Sequence, residues 1–504
     1  MSLFIKKPIS HLLNEAADSE KGLKRTLTAG SLVALGIGAI IGAGLFVRTA
    51  AAAAQNAGPS VTLGFIVAAI GCALAGLCYA ELSSSIPISG SAYTYTYATM
   101  GELLAWVIGW DLVLEYAVGA ATVGIAWSEY LNNLLTNVLH WKPIAYAWCH
   151  SPFQTSDLGE QGIMNLPALG IIALLTLLLI KGTQESAFVN GIIVITKVAI
   201  VILIIIIGWG FIDPVNHTPY IPEPSIYKDE QGIGHNYGGI MGILGAAGVV
   251  FFAFIGFDAV STAAQETKNP KTAMPIGILG SLAICTVLYI LFAHVLTGVA
   301  PVDFYRTTGR EASISIAIDQ YMPGYGWLSK LVTVAILAGF SSVILVMLLG
   351  QSRVFYSMSR DGLLPKVFSD VHPKFKTPYK ANMIIFVIVG LFAAFVPGDI
   401  VGDMTSIGTL FAFILVCIAV IILRKTEPDM PRQFKTPLVP FVPILGILVC
   451  SAMIFGLGWT NWLRLAGWLA IGFVIYFFYS RKNSKLQHGE TVIDKDPIDP
   501  LNPL

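Results

Sequence analysis

The chain has 504 residues, and its 30 Lys and Arg residues balance 30 Asp and Glu residues, which leaves no formal net charge. Hydrophobic residues make up 55% of it and charged residues only 12%, whereas soluble domains contain about 25% charged residues. This composition excludes a soluble globular protein and predicts a polytopic membrane protein. Without a long basic run, nothing indicates a nucleic-acid partner.

Residues 1–29 contain lysines and the amphipathic stretch HLLNEA, but no apolar core and no cleavage site. They are predicted to be a cytoplasmic tail without a signal peptide. Apolar windows of roughly 20 residues then predict about twelve transmembrane helices, named span 1 to span 12. They lie near residues 30–53, 62–85, 93–127, 165–181, 187–211, 238–260, 275–299, 326–356, 381–397, 402–424, 441–460 and 464–480. The expected fold is all-α, with the tyrosines of AYTYTYATM at the cytoplasmic start of span 3.

The positive charges predict the orientation. An even number of spans places both ends of the chain on one side. If that side is the cytoplasm, 22 of the 30 Lys and Arg residues lie in inward segments, 7 in outward segments and one, Lys197, within the membrane. Because cytoplasmic loops are enriched in Lys and Arg, both termini, including residues 481–504, are predicted to be cytoplasmic. The protein is expected in the cytoplasmic membrane.

Glycine interrupts two spans at mid-depth: LVALGIGAIIGAGLFV in span 1 and GVVFFAFIGFDAVS in span 6. Because they are five spans apart, a copied unit of five helices would enter the bilayer from the opposite side. Broken helices at matching places in two inverted halves indicate the central site of a transporter. The predicted units are residues 30–211 and 238–424, and residues 441–480 form two further helices outside the repeat.

The backbone groups at these two interruptions predict the ligand. An unpaired peptide group in hydrocarbon costs several kcal/mol, so a break needs a polar occupant. The free N–H groups of Gly42, Ala43 and Gly44 would begin a half-helix whose positive end suits a carboxylate. Carbonyl groups released before Gly256 would suit an ammonium group, and they belong to Phe252, Ala253, Phe254 and Ile255. A ligand that carries both groups is an α-amino acid.

Close helix packing is the alternative explanation of the glycines, because Gly38 and Gly42 also form a GxxxG motif. That explanation suits an isolated motif. It accounts less well for three glycines within seven residues, matched by a break in span 6.

Several long motifs occur in a fixed order along the chain. They are GLKRTL followed by GIGAIIGAGLFV, then YAELSSSIPISGSAYTYTY, GWDLVLEY, FFAFIGFDAVSTAAQETKNPKTAMP, SMSRDGLLP and MTSIGTLFAFILVCIAVIILR. Together they resemble the amino acid, polyamine and organocation transporter superfamily, and within it the cationic amino acid transporter group. The resemblance implies the five-plus-five inverted fold of the bacterial leucine transporter. It also implies an amino acid bound midway across the bilayer, with Phe252 as an aromatic gate.

The resemblance matches Ile40, Gly42, Ala43 and Gly44 in span 1, and Phe252 and Ile255 in span 6, to contacts with the carboxylate and amine of the substrate. Ile41, Ala253 and Phe254 complete the substrate-binding candidates. One departure from the family pattern is Gln265 before Glu266 in QETKNP, where relatives often have two acids.

Lys197 lies in the apolar run NGIIVITKVAIVILIIIIGWG of span 5, and an ionisable group inside a membrane is functional by default. In sodium-driven relatives, hydroxyl groups at positions matching Ser341 and Ser342 hold a cation between spans 1 and 8. In proton-driven relatives a lysine resembling Lys197 takes that place. The resemblance therefore implies hydrogen bonds from protonated Lys197 to carbonyls near Gly38 and Ala39. A fixed structural cation that never releases its proton is the alternative.

Two acids join the list of proton-coupling candidates. Glu115 lies in span 3, which lines the site in this fold, so its carboxylate could pair with Lys197 or with a cationic substrate. Asp258 follows the break in span 6 and could couple protonation to gating. A structural role remains open for each. Glu115 could be a buried acid with satisfied hydrogen bonds, and Asp258 could cap the N-terminus of the second half-helix.

The leading functional hypothesis is a secondary carrier that takes up L-amino acids with protons, and amino acid exchange is the runner-up. No Walker-type loop, HExxH motif or nucleophile elbow indicates an enzyme, and a single central site suits a channel poorly. No cofactor or metal is expected. Apolar residues near Val346 and Met347 favour small neutral substrates such as alanine, whereas the subgroup resemblance favours arginine, lysine or ornithine. Membrane lipids are expected partners; Cys149 is expected to be a free surface thiol and not a link to an accessory subunit.

Overall fold

The computed structural model describes residues 2–17, 23–42, 44–156, 159–228, 234–307, 313–456 and 459–489. Within these residues, eight helices are long and apolar enough to cross a membrane. They are Gly44–Ser85, Glu102–Val138, Thr183–Trp209, Gly239–Glu266, Pro270–Val299, Gly326–Arg360, Ile407–Thr426 and Trp462–Asn483. Four shorter apolar helices are Ala29–Ile40, Leu166–Lys181, Tyr379–Phe395 and Phe441–Phe455. Since Gly44–Ser85 joins the outer part of span 1 to span 2, all twelve predicted spans are helical and the polytopic all-α fold is confirmed.

The remaining elements are short or extend these helices. Span 10 is helical over Gly398–Thr426, span 11 over Phe441–Gly456, and span 12 over Trp459–Ile475, Tyr476–Ser480 and Arg481–Asn483. Further helices are Ile9–Ala17, Ala92–Thr99, Val302–Thr307 and Ser313–Tyr321. Between spans 5 and 6, strand β1 (Ser225–Lys228) pairs antiparallel with strand β2 (Gly234–Tyr237).

The helix of span 1 breaks where the glycines predict it. Its N-terminal half, Ala29–Ile40, begins at Thr28, whose side chain accepts a hydrogen bond from the backbone N–H of Ser31. The helix ends at Ile41, which is extended (φ −78°, ψ 97°), and helical structure resumes at Gly44. The N–H of Ile41 still bonds Ile37 O, but the carbonyl of Ile41 is released from the helix.

The helix of span 6 breaks at the matching place. Its N-terminal half, Gly239–Phe251, tightens into a 3₁₀ turn over Phe252–Phe254, and the C-terminal half runs over Asp258–Glu266. Gly256 between them has φ +107°, which side chains of other residues rarely adopt. Both predicted discontinuities are thus present, five spans apart. The division into units 30–211 and 238–424 stays a prediction.

The predicted start of span 3 at residue 93 is wrong. The tyrosines form a separate buried helix, Ala92–Thr99, and span 3 begins at Glu102. Gly101 separates the two helices with φ +102°. This left-handed residue turns the chain, so a continuous helix cannot pass through it.

The expectation that Cys149 is a surface thiol is also wrong. Its side chain is buried in the loop between spans 3 and 4, where its sulfur accepts a hydrogen bond from Asn132 Nδ2 at 3.2 Å. It is a free thiol, as are the other five cysteines.

Candidate functional site

Span 5 brings the ammonium group of Lys197 to the break in span 1. Lys197 Nζ donates to the carbonyl oxygen of Gly38 at 2.9 Å and to that of Ile41 at 2.6 Å. Its third partner is Ser342 Oγ of span 8, at 2.7 Å. The lysine side chain is 0% exposed. Three acceptors match the three N–H donors of a protonated lysine, which explains how a charged amine is accommodated here without a carboxylate partner.

The geometry corrects one predicted partner of Lys197. Sequence reasoning placed its hydrogen bonds near Gly38 and Ala39, whereas the second carbonyl belongs to Ile41. Ile41 is the residue at which the chain leaves the helix, so its carbonyl is free to turn towards span 5. Ala39 instead lies against Gly256: a Cβ atom at Gly256 would come within 2.8 Å of Ala39 Cβ.

Span 8 separates the two serine candidates. Ser342 is fully buried, accepts from Lys197, and lies 2.8 Å from the carbonyl oxygen of Gly38. Ser341 points elsewhere: it donates to Leu337 O at 2.8 Å and accepts from Trp127 Nε1 at 3.0 Å. Consecutive residues on a helix diverge by about 100°, so only one of them can face the break.

Tyr289 of span 7 joins the two breaks and was missed by sequence reasoning. Its hydroxyl lies 2.8 Å from Ile40 O in span 1 and 2.9 Å from Ala253 O in span 6. A hydroxyl has one hydrogen, so the two carbonyls share a single donor. A lone tyrosine in an apolar helix carries no pattern that distinguishes it from a core residue.

The glycines serve close packing as well as helix interruption. A Cβ atom at Gly44 would lie 2.3 Å from the Cα of Ala253, so the two breaks are in direct backbone contact. A Cβ atom at Gly42 would meet Val343 Cγ2 at 2.7 Å. Both explanations of the glycines therefore hold at once.

The other predicted substrate contacts surround this junction. Ile40, Ile41, Ala253, Phe254 and Ile255 are buried. Phe252 is half-buried, with the guanidinium of Arg48 5.3 Å from its ring centre. Ala43 lies outside the described residues.

Glu115 and Asp258 meet on the inner side of the junction, the side of the N-terminal segment. The two buried carboxyl groups neighbour each other, and Tyr116 donates to Asp258 Oδ2 at 2.5 Å. The hydrogen bonds described for Lys197 go to two carbonyls and a hydroxyl. The predicted pairing of Glu115 with Lys197 is therefore not among them. Asp258 opens the C-terminal half of span 6, next to its N-cap Phe257.

Polar contacts join the C-terminal half of span 6 to neighbouring parts of the chain. Ser261 of span 6 bonds Ser91 at 2.7 Å. Further in, Glu266 forms a fully buried ion pair with Arg353 of span 8 at 2.7 Å, and its Oε1 also accepts from Thr183 of span 5. These contacts join span 6 to spans 5 and 8.

Two interrupted helices that meet at a buried, charged centre define a class of polytopic membrane protein, the secondary transporters. The sequence profile described as amino acid permease matches residues 27–480. The chain therefore belongs to the amino acid permease family, which confirms the predicted superfamily and makes it a transporter and not an enzyme.

Individual relatives cover nearly the whole chain. It is 45% identical to the branched-chain amino acid permease BcaP of Bacillus subtilis (strain 168), over 96% of this chain and 99% of that protein. It is 42% identical to the methylthioribose transporter of the same organism, with the same coverage. Identity to the vacuolar cationic amino acid transporter 4 of Arabidopsis thaliana is 34%, over 95% of both chains.

Proposed function

We propose that this permease takes up neutral L-amino acids together with protons across the cytoplasmic membrane, with both termini in the cytoplasm. The observation that carries the proposal is the buried ammonium of Lys197 on two carbonyls of the span 1 break. It places a group that can gain or lose a proton on the backbone that is expected to hold the substrate.

The proton would act through the number of hydrogen bonds that Lys197 can donate. A protonated amine donates three, whereas a neutral amine has two N–H groups and a lone pair. Loss of the proton would therefore remove one of the hydrogen bonds from Lys197 to Gly38 O, Ile41 O and Ser342 Oγ. The break in span 1 would then be free to move, and spans 1, 2, 6 and 7 would rock against the remaining helices.

Glu115 and Asp258 would supply a second proton-sensitive contact. Two neighbouring buried carboxylates repel each other when both are charged, so the pair favours holding a proton. Asp258 belongs to the moving spans, and Glu115 and Tyr116 belong to span 3. Charging of both acids would push these two parts of the protein away from each other.

The backbone around the breaks supports an α-amino acid, and span 8 supports a neutral side chain. Val343 lies against Gly42, and Val346 and Met347 of the same helix are buried. These apolar groups offer a charged side chain no partner. Branched-chain amino acid permeases among the relatives, at 45% and 34% identity, extend the proposed substrates from alanine to larger apolar amino acids.

The test uses proteoliposomes that contain no amino acid and carry an imposed gradient, alkaline inside. Labelled alanine and leucine are expected to accumulate, and an uncoupler should abolish accumulation. Uptake that requires preloaded amino acid would favour exchange instead. Competition with the twenty amino acids identifies the side-chain preference, and dominant competition by arginine or lysine would favour a cationic substrate.

A methylthioribose carrier is the second candidate, because a transporter of that compound is 42% identical over 96% of the chain. Methylthioribose has hydroxyl groups and a thioether, but neither an α-amino nor an α-carboxyl group. In the same vesicles, accumulation of labelled methylthioribose that leucine does not inhibit would favour this function over the amino acid.

A further inference from the structure

We infer that residues 2–17, named here the N-terminal strap, hold the cytoplasmic side of the carrier closed, and that Lys7 must leave Asp361 before substrate can exit. This inference rests on the rocking motion of the proposed function. It concerns residues that precede both helix breaks in the chain.

One end of the strap is fixed to span 3 by backbone hydrogen bonds. Leu103 N donates to Leu3 O at 3.0 Å, and Glu102 N donates to Ile5 O at 3.0 Å. Gly101 makes this contact possible, because a Cβ atom there would lie 2.6 Å from the backbone of Phe4. The strap therefore lies directly on the start of span 3.

Lys7 adds a shielded ion pair to this attachment. Its Nζ lies 2.5 Å from Asp361 Oδ1 at the inner end of span 8, and the two side chains are 9% and 11% exposed. The other carboxylate oxygen of Asp361 accepts from Tyr93 at 2.7 Å. The backbone N–H of Lys7 donates to Tyr97 O at 3.2 Å. Lys7 is thus held between span 8 and the helix Ala92–Thr99.

The chain that follows the strap is fixed to the spans that are proposed to move. Thr26 N and Leu27 N both donate to Glu266 O, at 2.8 and 2.9 Å, and Lys268 N donates to Leu27 O at 3.0 Å. Span 1 therefore begins in contact with the inner end of span 6. The strap precedes span 1 in the chain and is bonded to spans 3 and 8, so it links the two groups of spans.

Lys7 also lies over the interface that would have to open. It lines a small cavity with Gln265 at the end of span 6 and with Tyr356 and Ser357 of span 8. Gln265 precedes Glu266, whose buried ion pair with Arg353 joins span 6 to span 8. The strap forms the outermost of these closing contacts.

The test measures access to this cavity in full-length protein that carries Ser357→Cys. All six native cysteines are buried, so labelling by a membrane-impermeant maleimide from the cytoplasmic side reports the new thiol. Lys7→Gln is expected to raise the labelling rate about tenfold, since a hydrogen bond between charged groups stabilises by about 1.5 kcal/mol or more. Lys6→Gln is the matched control, because Lys6 is exposed beside Lys7 and loses the same charge.

A charge exchange separates strap release from misfolding. Lys7→Asp alone should label fast, and addition of Asp361→Lys should restore slow labelling. Equal, slow labelling of the Lys7→Gln and Lys6→Gln proteins would overturn the inference, as would fast labelling of both. Labelling needs no substrate, so a failure of amino acid uptake with an intact Lys7 effect would refute the proposed function and leave the strap standing.

Discussion

The break in span 1 and the break in span 6 expose the same kind of group, a main-chain carbonyl, and both contact Tyr289, but only the break in span 1 also binds an amine. Span 1 gives Gly38 O and Ile41 O to an amine, Lys197. Span 6 gives Ala253 O to a phenol, Tyr289. An amine can lose its proton within a membrane, whereas a phenol ordinarily keeps its own near neutral pH. The comparison predicts that protons act on the break in span 1 through Lys197, whereas the hydroxyl of Tyr289 at the break in span 6 keeps its proton.

Removal of the amine should have the largest effect. Lys197→Ala leaves the buried carbonyl of Ile41 without its donor and Gly38 O with Ser342 alone. At a cost of about 1–3 kcal/mol for an unsatisfied buried group, gradient-driven uptake should fall to about 1% of native or less. Substrate should still bind, as measured by calorimetric titration. Lys181→Ala, at an exposed lysine, is the control. Equal loss of binding and uptake would support a structural lysine and remove the contrast between the two breaks.

Packing between the breaks comes next. Gly44→Ala places a methyl group 2.3 Å from the Cα of Ala253, and overpacking of about 1–3 kcal/mol should reduce the uptake rate about tenfold or more. Gly191→Ala in span 5 meets no atom within 4 Å and should transport normally. Native uptake by the Gly44 variant would show that the two breaks do not touch during transport.

Tyr289→Phe tests the hydroxyl contact that both breaks share. The ring stays packed between Phe65 and Phe254, but the shared donor is lost. The KM for leucine should rise about fivefold, since one hydrogen bond contributes about 1 kcal/mol. The pH dependence of uptake should not change. Tyr305→Phe removes a similar bond, to Leu296 O at 2.7 Å, away from the breaks and serves as the control. A shifted pH profile in the Tyr289 variant would mean that Tyr289 also takes part in proton coupling.

The smallest effect should come from the paired serines. Ser342→Ala removes one acceptor of Lys197 and should lower gradient-driven uptake about threefold, within the usual contribution of a single hydrogen bond. Ser341→Ala should stay near the native rate, because its bonds go to Leu337 and Trp127. The two initial rates, measured in one vesicle preparation, give the comparison; a larger loss in the Ser341 variant would contradict the described orientation.

Several parts of the site could be predicted because each follows from a local rule. Glycine density located both breaks, and an ionisable residue inside an apolar run identified Lys197. These local rules failed where two nearby residues could make the same contact. They could not choose between Ala39 and Ile41, because the last helical hydrogen bond decides which carbonyl is free. They could not choose between Ser341 and Ser342, because helix rotation is set by packing.

Other parts had no signal in the sequence. Arg353 is fully buried against Glu266, which lies 87 positions away in the chain. Tyr289 resembles any aromatic core residue. Lys7 differs from Lys6 only through Asp361, which lies 354 positions away in the chain.

By itself, the sequence determined that the protein crosses the membrane many times, where two of its helices break and that an amine lies in its interior. These properties depend on hydropathy and on backbone freedom, which each short stretch carries with it. Only the tertiary structure decided what meets at the breaks: Lys197, Ser342 and Tyr289 come from three different spans. Hydrogen bonds act over about 3 Å, so their partners are fixed by how the helices pack against one another.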